Sequence, residues 1–409
     1  MSFFSLPSKR RETKKSASGT RTFVPRLEAL ESRNLLSTFT VINTSSDPST
    51  SGSLPWGVQQ ANSTPGLNYI KYNITFSAIQ TITINSTLSL TNQVVIDGTS
   101  QPGYNGTPLI SVQGSGNVPS LFTLGSGSSG STIQGLDMYD YTENGDGVAL
   151  TPSTSGDFIQ NNWIGFFRDP TTGQVSLNYN LGSLFNNTFG IVVQSSNNVI
   201  RNNVIDGNFN GIFVMGASFM AAHEVVPAVN NSISANFIGT DPSGTTAAGY
   251  GNQGNGIFIG PNTQGNSIAM NVIAGAGLDG VVLSGATSNF VNQNWIGEST
   301  NGQSFPNGNY GVELQAGAND NYVGKNTFGP NGVGSVYVDT NAVGNYIGYT
   351  PQPTPSSFSA QIQQLFGYFP LMVEAAQTGN VNAFFQALQS YVTLYVTVEL
   401  EILNAFQRS

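Results

Sequence analysis

The 409-residue chain contains no cysteine, which excludes a disulfide scaffold, a cysteine-ligated zinc site and a cysteine nucleophile. It contains one histidine, His223, so a histidine-rich metal site is excluded as well. Charged residues make up only 9% of the chain, against about 25% in an ordinary soluble domain. No stretch approaches the ~20 apolar residues that a transmembrane helix needs, so no transmembrane span is predicted.

Basic residues are scarce outside the first 36 residues, and the net charge of the whole chain is −9. The acidic body has no basic stripe that could release counterions from a nucleic acid, so no nucleic-acid partner is predicted. The basic head lacks the apolar core of about 7–15 residues that an ordinary secretory signal has. The sequence leaves open whether this head is a disordered tail or a targeting segment.

What the sequence has in abundance is glycine, at 48 residues, together with an internal repeat. Each copy begins with Asn or Asp, passes through Val or Ile, and reaches a second Asn before two mostly apolar residues. A glycine followed by alternating apolar residues precedes most copies. The copies are DFIQNNWI (157–164), NVIRNNVI (198–205), NSISANFI (231–238), NSIAMNVI (266–273), NFVNQNWI (289–296) and NYVGKNTF (321–328).

Copies this short, with strand-like pieces and no helical period, are typical of one coil of a solenoid. Stacked coils pair backbone to backbone about 4.8 Å apart, so equivalent residues form columns. The second Asn is expected at a turn, because Asn tolerates left-handed backbone angles and its amide can bond along the stack. The glycine before each strand is expected to permit another tight corner. The predicted structural Asn ladder comprises Asn162, Asn203, Asn236, Asn271, Asn294 and Asn326.

These repeats resemble the right-handed parallel β-helix family, the pectate-lyase-like superfold. The resemblance implies an all-β, right-handed, single-stranded parallel β-helix, whose enzyme members act on polysaccharides in a groove along one strand face. SLPWGVQQAN (53–62) and VIDGTSQPGY (95–104) are similar to the opening of a group of bacterial exported β-helix proteins. LEALESRNLLSTFTV (27–41) resembles an N-terminal segment of planctomycete surface proteins. These two resemblances imply a secreted or cell-surface bacterial protein.

Composition divides the chain into five parts, and LPWGVQQAN (54–62) is interpreted as a short helix within the second of them. A cap is expected at the front, because the first coil of a solenoid would otherwise expose its core and its strand edges. The predicted parts are a disordered basic or targeting segment (1–37), an N-terminal cap with the first coils (38–120), the β-helix repeats (121–350), a Pro-rich linker (351–357) and a helical C-terminal extension (358–409).

The C-terminal extension loses the Gly/Asn character, and its apolar residues between Val381 and Phe406 follow helical spacing. Asn380 is a plausible N-cap for this helix. The strand propensity of VTLYVTV (392–398) argues against a helix there. The predicted helices either cover the open end of the solenoid or dock to a partner. The polar face has almost no Lys or Arg, which disfavours a membrane-surface helix.

No catalytic residue is assigned from the sequence. One local acidic cluster, Asp137, Asp140, Glu143 and Asp146, has oxygen ligands at a density that could suit calcium, but its spacing does not match an EF-hand loop. No cofactor is therefore assigned, and calcium stays an open alternative. The weak catalytic candidates are three acids and one base. The acids are Asp140, Glu143 and Asp146, and the base, which a lyase would need, is Arg201.

A glycosidase needs two carboxylates within about 5–10 Å, which on a solenoid must lie on neighbouring coils. The position before the strand glycine holds only Asp146 and Asp279 as carboxylates, and the repeats place them about five coils apart. The Asn-Thr-Asp, Asp-Asp, Gly-His-Gly and Arg-Ile-Lys motifs of polygalacturonases are absent, and His223 lies in an insertion. The alignment therefore predicts no catalytic pair.

Aromatic residues recur at fixed repeat positions. Trp163 and Trp295 follow the ladder Asn, and Phe213 and Phe258 share the outward position of the glycine-preceded strand on neighbouring coils. Rings exposed on such columns suit sugar stacking, and packing of the Trp residues in the core or at a turn is the alternative. Phe213 and Phe258 are the predicted carbohydrate contacts.

Together these features predict an exported, non-catalytic β-helix with a structural, adhesive or glycan-binding role, whose partner would be a polysaccharide. The alternative is a polysaccharide-active enzyme, either a lyase or a glycoside hydrolase.

Overall fold

A computed structural model describes residues 36–75, 79–141, 145–169, 175–177, 189–219, 224–245 and 250–348. The basic head, the Pro-rich linker and the predicted C-terminal helices lie outside the described residues, as do Glu143 and His223.

Three long parallel sheets make up the body. The eleven strands of sheet 1 are Ser37–Val41, Asn68–Tyr72, Val94–Asp97, Thr132–Gln134, Phe158–Gln160, Val199–Arg201, Ser232–Ser234, Ser267–Ala269, Phe290–Asn292, Tyr322–Gly324 and Tyr346–Gly348. The nine strands of sheet 2 are Gln80–Ile84, Ile110–Gly114, Leu136–Tyr139, Trp163–Ile164, Val204–Ile205, Phe237–Ile238, Val272–Ile273, Trp295–Ile296 and Thr327–Phe328. The nine strands of sheet 3 are Leu88–Leu90, Ser120–Leu124, Asp146–Leu150, Phe189–Val193, Asn210–Val214, Ile257–Ile259, Val281–Leu283, Tyr310–Leu314 and Gly334–Val338.

The chain visits sheet 3, then sheet 1, then sheet 2, and returns to sheet 3 one coil further on. Each strand pairs in parallel with the equivalent strand of the next coil, for example Ile212 with Ile257 and Ile233 with Ile268. The predicted parallel β-helix is therefore confirmed. Crossovers between parallel strands are right-handed in nearly all sheets, which is also the hand that the family resemblance implies.

In the described part of the chain, three two-stranded sheets and a short 3-10 helix lie outside the three long sheets. Phe166–Arg168 pairs antiparallel with Val175–Leu177, and Ala217–Phe219 pairs antiparallel with Glu224–Val226. Ala228–Val229 pairs in parallel with Thr263–Gln264, and Gly98–Ser100 is a short 3-10 helix. Two intervals between repeat elements are unusually long, and the sequence predicts insertions at turns there, at residues 215–230 and 239–255. Both intervals fall between strands of different sheets.

The core is a set of inward columns filled with β-branched and leucine side chains, which fit a pleated buried surface. Ile200, Ile233 and Ile268 follow one another in sheet 1 and are all 0% exposed. Ile259, inward by the alternation of its strand, is also 0% exposed. The hydrophobic register read from the repeats is thus the register of the structure.

The glycine at the start of most strands of sheet 3 has a different role from the one predicted. Gly211, Gly256 and Gly280 do not have positive φ. A Cβ on Gly256 would lie 2.6 Å from the carbonyl oxygen of Gly280 and 2.7 Å from Ile273 Cγ2. Glycine is needed here because the inner corner of each coil has no room for a side chain.

The helix α1 (Leu54–Ser63) is present where the sequence predicts one. Ser53 caps its N-terminus by accepting a hydrogen bond from the Trp56 N–H at 3.2 Å, and a proline stands in the first turn, where its missing N–H costs nothing. Leu54, Val58 and Ala61 are buried in the same core as the strands. The helix covers the first coil, where sheets 2 and 3 have not yet begun.

Candidate functional site

All six predicted ladder asparagines lie in one buried column at the turn between sheets 1 and 2. Asn236 is typical: its Oδ1 accepts from the Asn203 N–H at 3.0 Å, and its Nδ2 donates to the Ile200 carbonyl at 3.0 Å. The same pair of bonds recurs at Asn271, whose Oδ1 accepts from the Asn236 N–H at 2.9 Å. The column therefore satisfies backbone groups that a sharp buried turn would otherwise leave unpaired.

The left-handed residue of this turn is not the ladder asparagine, contrary to the sequence-based expectation. It is the residue before it, and at three of the six turns that residue is Ala235, Met270 or Lys325, with φ of 54°, 58° and 56°. The position requires asparagine because of its side-chain hydrogen bonds. The Asn236 side-chain amide, for example, donates both to the Ile200 carbonyl of the preceding coil and to Asn271 Oδ1 of the next coil.

A second ladder, which the sequence reasoning missed, uses the first residue of each repeat at the turn from sheet 3 to sheet 1. Asn231 Oδ1 accepts from the Asn198 N–H at 2.9 Å, and Asn266 Oδ1 accepts from the Asn231 N–H at 2.9 Å. The signal was visible as the leading Asn or Asp of every copy. The members of this ladder are Asp157, Asn198, Asn231, Asn266, Asn289, Asn321 and Asn345.

The acidic candidates do not come together on one face. Asp137 belongs to sheet 2 and Asp146 to sheet 3, while Asp140 follows the sheet 2 strand and accepts from Gln113 Nε2 at 2.8 Å. Among the described residues, no three His, Asp or Glu side chains are grouped as a metal site. The structure thus gives no support to a calcium site built from Asp137, Asp140 and Asp146.

Asp137 is fully buried, although it belongs to the outward column of sheet 2. Its Oδ2 accepts from the Ser111 hydroxyl at 2.8 Å, and its Oδ1 has no hydrogen-bond partner. Burial raises the pKa of this carboxyl to about 7, opposed by the bond from Ser111 and the charge of Arg168. The next residue in the column of Asp137 is Trp163. The burial of Asp137 was not predicted from the sequence.

The Asp137 environment depends on the hairpin Phe166–Arg168/Val175–Leu177. The guanidinium of Arg168 lies 5.2 Å from the centre of the Trp163 ring, and its Nη1 donates to the Pro108 carbonyl at 2.6 Å. The Phe167 ring meets Tyr139 edge-on, 5.6 Å between centres. The rings of Trp163 and Tyr139 therefore pack beneath the hairpin, which favours the packing role considered for Trp163 over sugar contact.

Arg201 lies on the outward face of sheet 1, in a chain of polar side chains. Its Nε donates to Gln160 Oε1 at 2.8 Å, Gln160 Nε2 donates to Gln134 Oε1 at 2.7 Å, and Gln134 Nε2 donates to Asp97 Oδ1 at 2.9 Å. Arg201 is therefore held by a hydrogen bond within a row of polar side chains that crosses neighbouring coils.

The two aspartates that precede strands of sheet 3 are four coil steps apart rather than about five. Phe189, Asn210 and Asn255 occupy the positions between Asp146 and Asp279. Four steps of about 4.8 Å give roughly 19 Å, well beyond the separation that glycoside hydrolysis uses. Burial raises the pKa of Asp146 to about 7 and raises the pKa of Asp279.

The outward face of sheet 3 carries a column of stacked rings. Phe213 and Phe258 lie 5.1 Å apart between ring centres, with their planes 7° apart. The Phe189 ring of the preceding coil lies 4.7 Å from the Phe213 ring at an angle of 35°, although Phe189 is in register with Asn210 and not with Phe213. All three side chains are half-buried. Because the rings cover one another's faces, the column presents ring edges as a continuous apolar strip.

Inserted segments flank this strip at both ends of its strands. The hairpin Ala217–Phe219/Glu224–Val226 begins three residues after Val214 on the central strand. Residues 239–255 precede Ile257–Ile259 on the next strand. Beside the rings, Asn210 Oδ1 accepts from the Asn255 N–H at 2.8 Å, so amide groups lie next to the apolar strip. We name the strip formed by Phe189, Phe213 and Phe258 the phenylalanine strip.

No family model and no curated protein matches this chain. Among solved structures, it is similar to the Dettilon tailspike protein (15% identity, TM-score 0.43, 75% of this chain and 65% of that chain). It is also similar to the A-module of a mannuronan C-5 epimerase from Azotobacter vinelandii (15% identity, TM-score 0.36, 77% of this chain and all of that one). An alginate lyase from Paenibacillus matches at 16% identity, with a TM-score of 0.36, over 74% of this chain and 98% of that chain.

These likenesses concern the fold, which the three parallel sheets establish independently. The chain spans about two thirds of the length of the tailspike that it matches. None of the described helices is long and apolar enough to cross a membrane.

Proposed function

We propose that this protein is a non-catalytic, secreted or cell-surface β-helix that binds a polysaccharide along the outward face of sheet 3. The observation that carries the proposal is the phenylalanine strip, in which Phe213 and Phe258 share a register position on neighbouring coils. The Phe189 ring of the preceding coil packs on Phe213 from a different register position. Sugar rings present C–H faces that pack against apolar and aromatic surfaces, while amides fix their hydroxyl groups. The strip and its neighbouring asparagines combine these two kinds of contact.

The repeat of the strip favours a polymer over a small sugar. Phe213 and Phe258 occupy equivalent positions at the coil spacing of about 4.8 Å, so an extended chain can make the same contact on both coils. Many weak contacts along a rigid track give avidity without any single deep pocket. The inserted segments at the two ends of the strands would then limit how the polymer lies across the strip.

The carboxylates of the described residues support binding rather than hydrolysis. Asp146 and Asp279 lie too far apart to act as a pair, and Asp279 Oδ1 accepts from the Tyr310 N–H at 2.9 Å. Asp137 is buried under the hairpin at sheet 2, on another face. A binding role needs none of these acids to meet the substrate.

The test is a binding comparison on the full chain with a panel of neutral, uronate and sulfated polysaccharides in affinity electrophoresis. Phe213→Ala and Phe258→Ala should each weaken binding by at least about tenfold, since truncating an aromatic hot spot costs about 2 kcal/mol or more and about 1.4 kcal/mol is tenfold. Phe290→Ala is the matched control, because Phe290 is a half-buried ring in the outward column of sheet 1. Equal retardation of all three variants, or no binding by the wild type, would reject the proposal.

A further inference from the structure

The two ends of the stack differ in how the core is closed. At the N-terminal end, α1 inserts Leu54 and Val58 into the core, and these side chains are 0% and 4% exposed. At the C-terminal end, the last strands of sheets 1 and 3 are Tyr346–Gly348 and Gly334–Val338. Within the part of the chain that the structure describes, no further strand pairs with their outer edges.

The inward columns themselves are open at this end. Ile347 occupies the column of Val323 and is 44% exposed, whereas Val323 is 2% exposed. Val338 occupies the column of Leu314 and is 39% exposed, whereas Leu314 is 0% exposed. Exposed side chains at core positions, next to unpaired strand edges, form an apolar surface that natural proteins cover. We name this surface, formed by Val333, Val336, Val338, Val343 and Ile347, the end surface.

We propose that residues 380–406 of the same chain cover the end surface as an amphipathic helix. Their apolar residues at 381, 384, 385, 388, 392, 395 and 396 follow a helical stripe about as wide as a core-facing helix requires. The chain leaves the last strand at Gly348, directly beside the surface. The connecting residues 349–379 can span roughly 100 Å when extended, far more than the length of about 17 Å of a five-residue strand.

The lack of charged side chains in this segment supports the proposal that it covers the end surface of its own chain. Residues 380–398 contain no charged side chain, so no charge would be buried against the last coil. Glu399, Glu401 and Arg408 follow near the end of the segment. An uncharged stripe of this kind gains stability when it covers an uncharged core end, because apolar side chains on both surfaces leave water.

The absence of cysteine makes the test direct. Single-cysteine variants of the full chain, Ile347→Cys, Val323→Cys and Val225→Cys, would be labelled with a maleimide and their rates compared. Val225 is 50% exposed on the hairpin and serves as the open control, and Val323 is the buried control. We expect Ile347→Cys to react at least about tenfold more slowly than Val225→Cys, since thiol labelling follows access. Equal rates for these two variants would overturn the proposal.

A second variant identifies what covers the surface. Phe385→Asp in the Ile347→Cys background should raise the labelling rate to that of Val225→Cys. Val323→Cys with the same Phe385→Asp change should stay slow, which shows that the stack remains folded. If Ile347→Cys stays protected when Phe385→Asp is added, residues 380–406 are not the cover and the proposal is wrong. Protection that disappears on dilution would overturn it too, because it would show a second copy of the chain as the cover.

Discussion

At the scale of the residue, a buried asparagine serves several backbone groups at once. Asn271 accepts from the Asn236 N–H, donates from Nδ2 to the Ile233 carbonyl at 2.9 Å, and donates from its own N–H to Asn294 Oδ1 at 2.9 Å. No other side chain of this size offers an acceptor and a double donor on one planar group. The ladders therefore explain why a chain with so few charges can bury so many polar residues.

Replacing Asn271 by Ala should destabilise the protein strongly. The Asn236 N–H and the Ile233 carbonyl would each lose a partner in a dry turn, which gives an expected loss of roughly 2–4 kcal/mol. Thermal melting followed by circular dichroism measures the effect. The control is Asn117→Ala at an exposed position, where the melting temperature should stay the same. Equal melting temperatures for the two variants would show that the ladder contributes little.

The sequence predicted the ladder residues but not the environment of Asp137. Ladder positions recur in every copy, so one alignment reveals them. The burial of Asp137 comes from a hairpin inserted one coil later, whose Arg168 and Phe167 reach back over sheet 2. A contact between one coil and an insertion in the next has no repeat to reveal it.

At the scale of the element, the strands are too short to be stable alone, and most strands of sheets 1 and 2 have two or three residues. Their register comes from neighbours: an inward Val or Ile, an asparagine at the turn and a glycine at the corner. Strand content and parallel order could be predicted because these three signals agree. The hairpin at 217–226 was predicted only as an insertion, since it has no counterpart in other coils.

The helix α1 differs from the strands because it has one buried side and one exposed side. Val58→Asp should lower the melting temperature by several degrees, because an unpaired carboxylate would enter the core at the first coil. Gln59→Asp, at the neighbouring exposed position, is the matched control and should melt like the wild type. Melting scans of the two variants at pH 7 measure the difference. A wild-type melting temperature for Val58→Asp would contradict the role of α1 as a cover of the core.

At the scale of the whole molecule, buried carboxyls set the dependence of stability on pH. Burial raises the pKa of Asp137 and Asp157 to about 7 and that of Asp206 to about 8, from an ordinary value of 3.8. Between 3.8 and these raised values, the folded state holds protons that the unfolded chain has released. The free energy of unfolding should therefore fall as pH rises through this window.

The melting temperature is accordingly expected to be higher at pH 5 than at pH 8. Asp137→Asn keeps a partner for Ser111 and removes one titrating group, so it should reduce the slope of melting temperature against pH. Melting scans at half-unit pH steps measure both slopes. A melting temperature that rises with pH over this range would contradict the assignment of buried, protonated carboxyls.

The phenylalanine strip belongs to the whole molecule, because its three rings come from residues 189, 213 and 258 and meet only through the stacking of coils. The sequence showed that Phe213 and Phe258 share a repeat position. It did not show that the rings cover one another's faces, which leaves edges rather than faces for a ligand. A glycan would therefore lie along a strip, not on separate ring platforms.

The most direct test of the account is to incubate the purified full chain with uronate, sulfated and neutral polysaccharides, with and without calcium. Ultraviolet absorbance would report unsaturated ends, and a reducing-sugar assay would report hydrolysis. The account predicts retention of at least one polysaccharide that depends on Phe213, with no product in either assay. Turnover of any polysaccharide that Asp146→Asn or Arg201→Ala abolishes would contradict it, and would make the protein an enzyme.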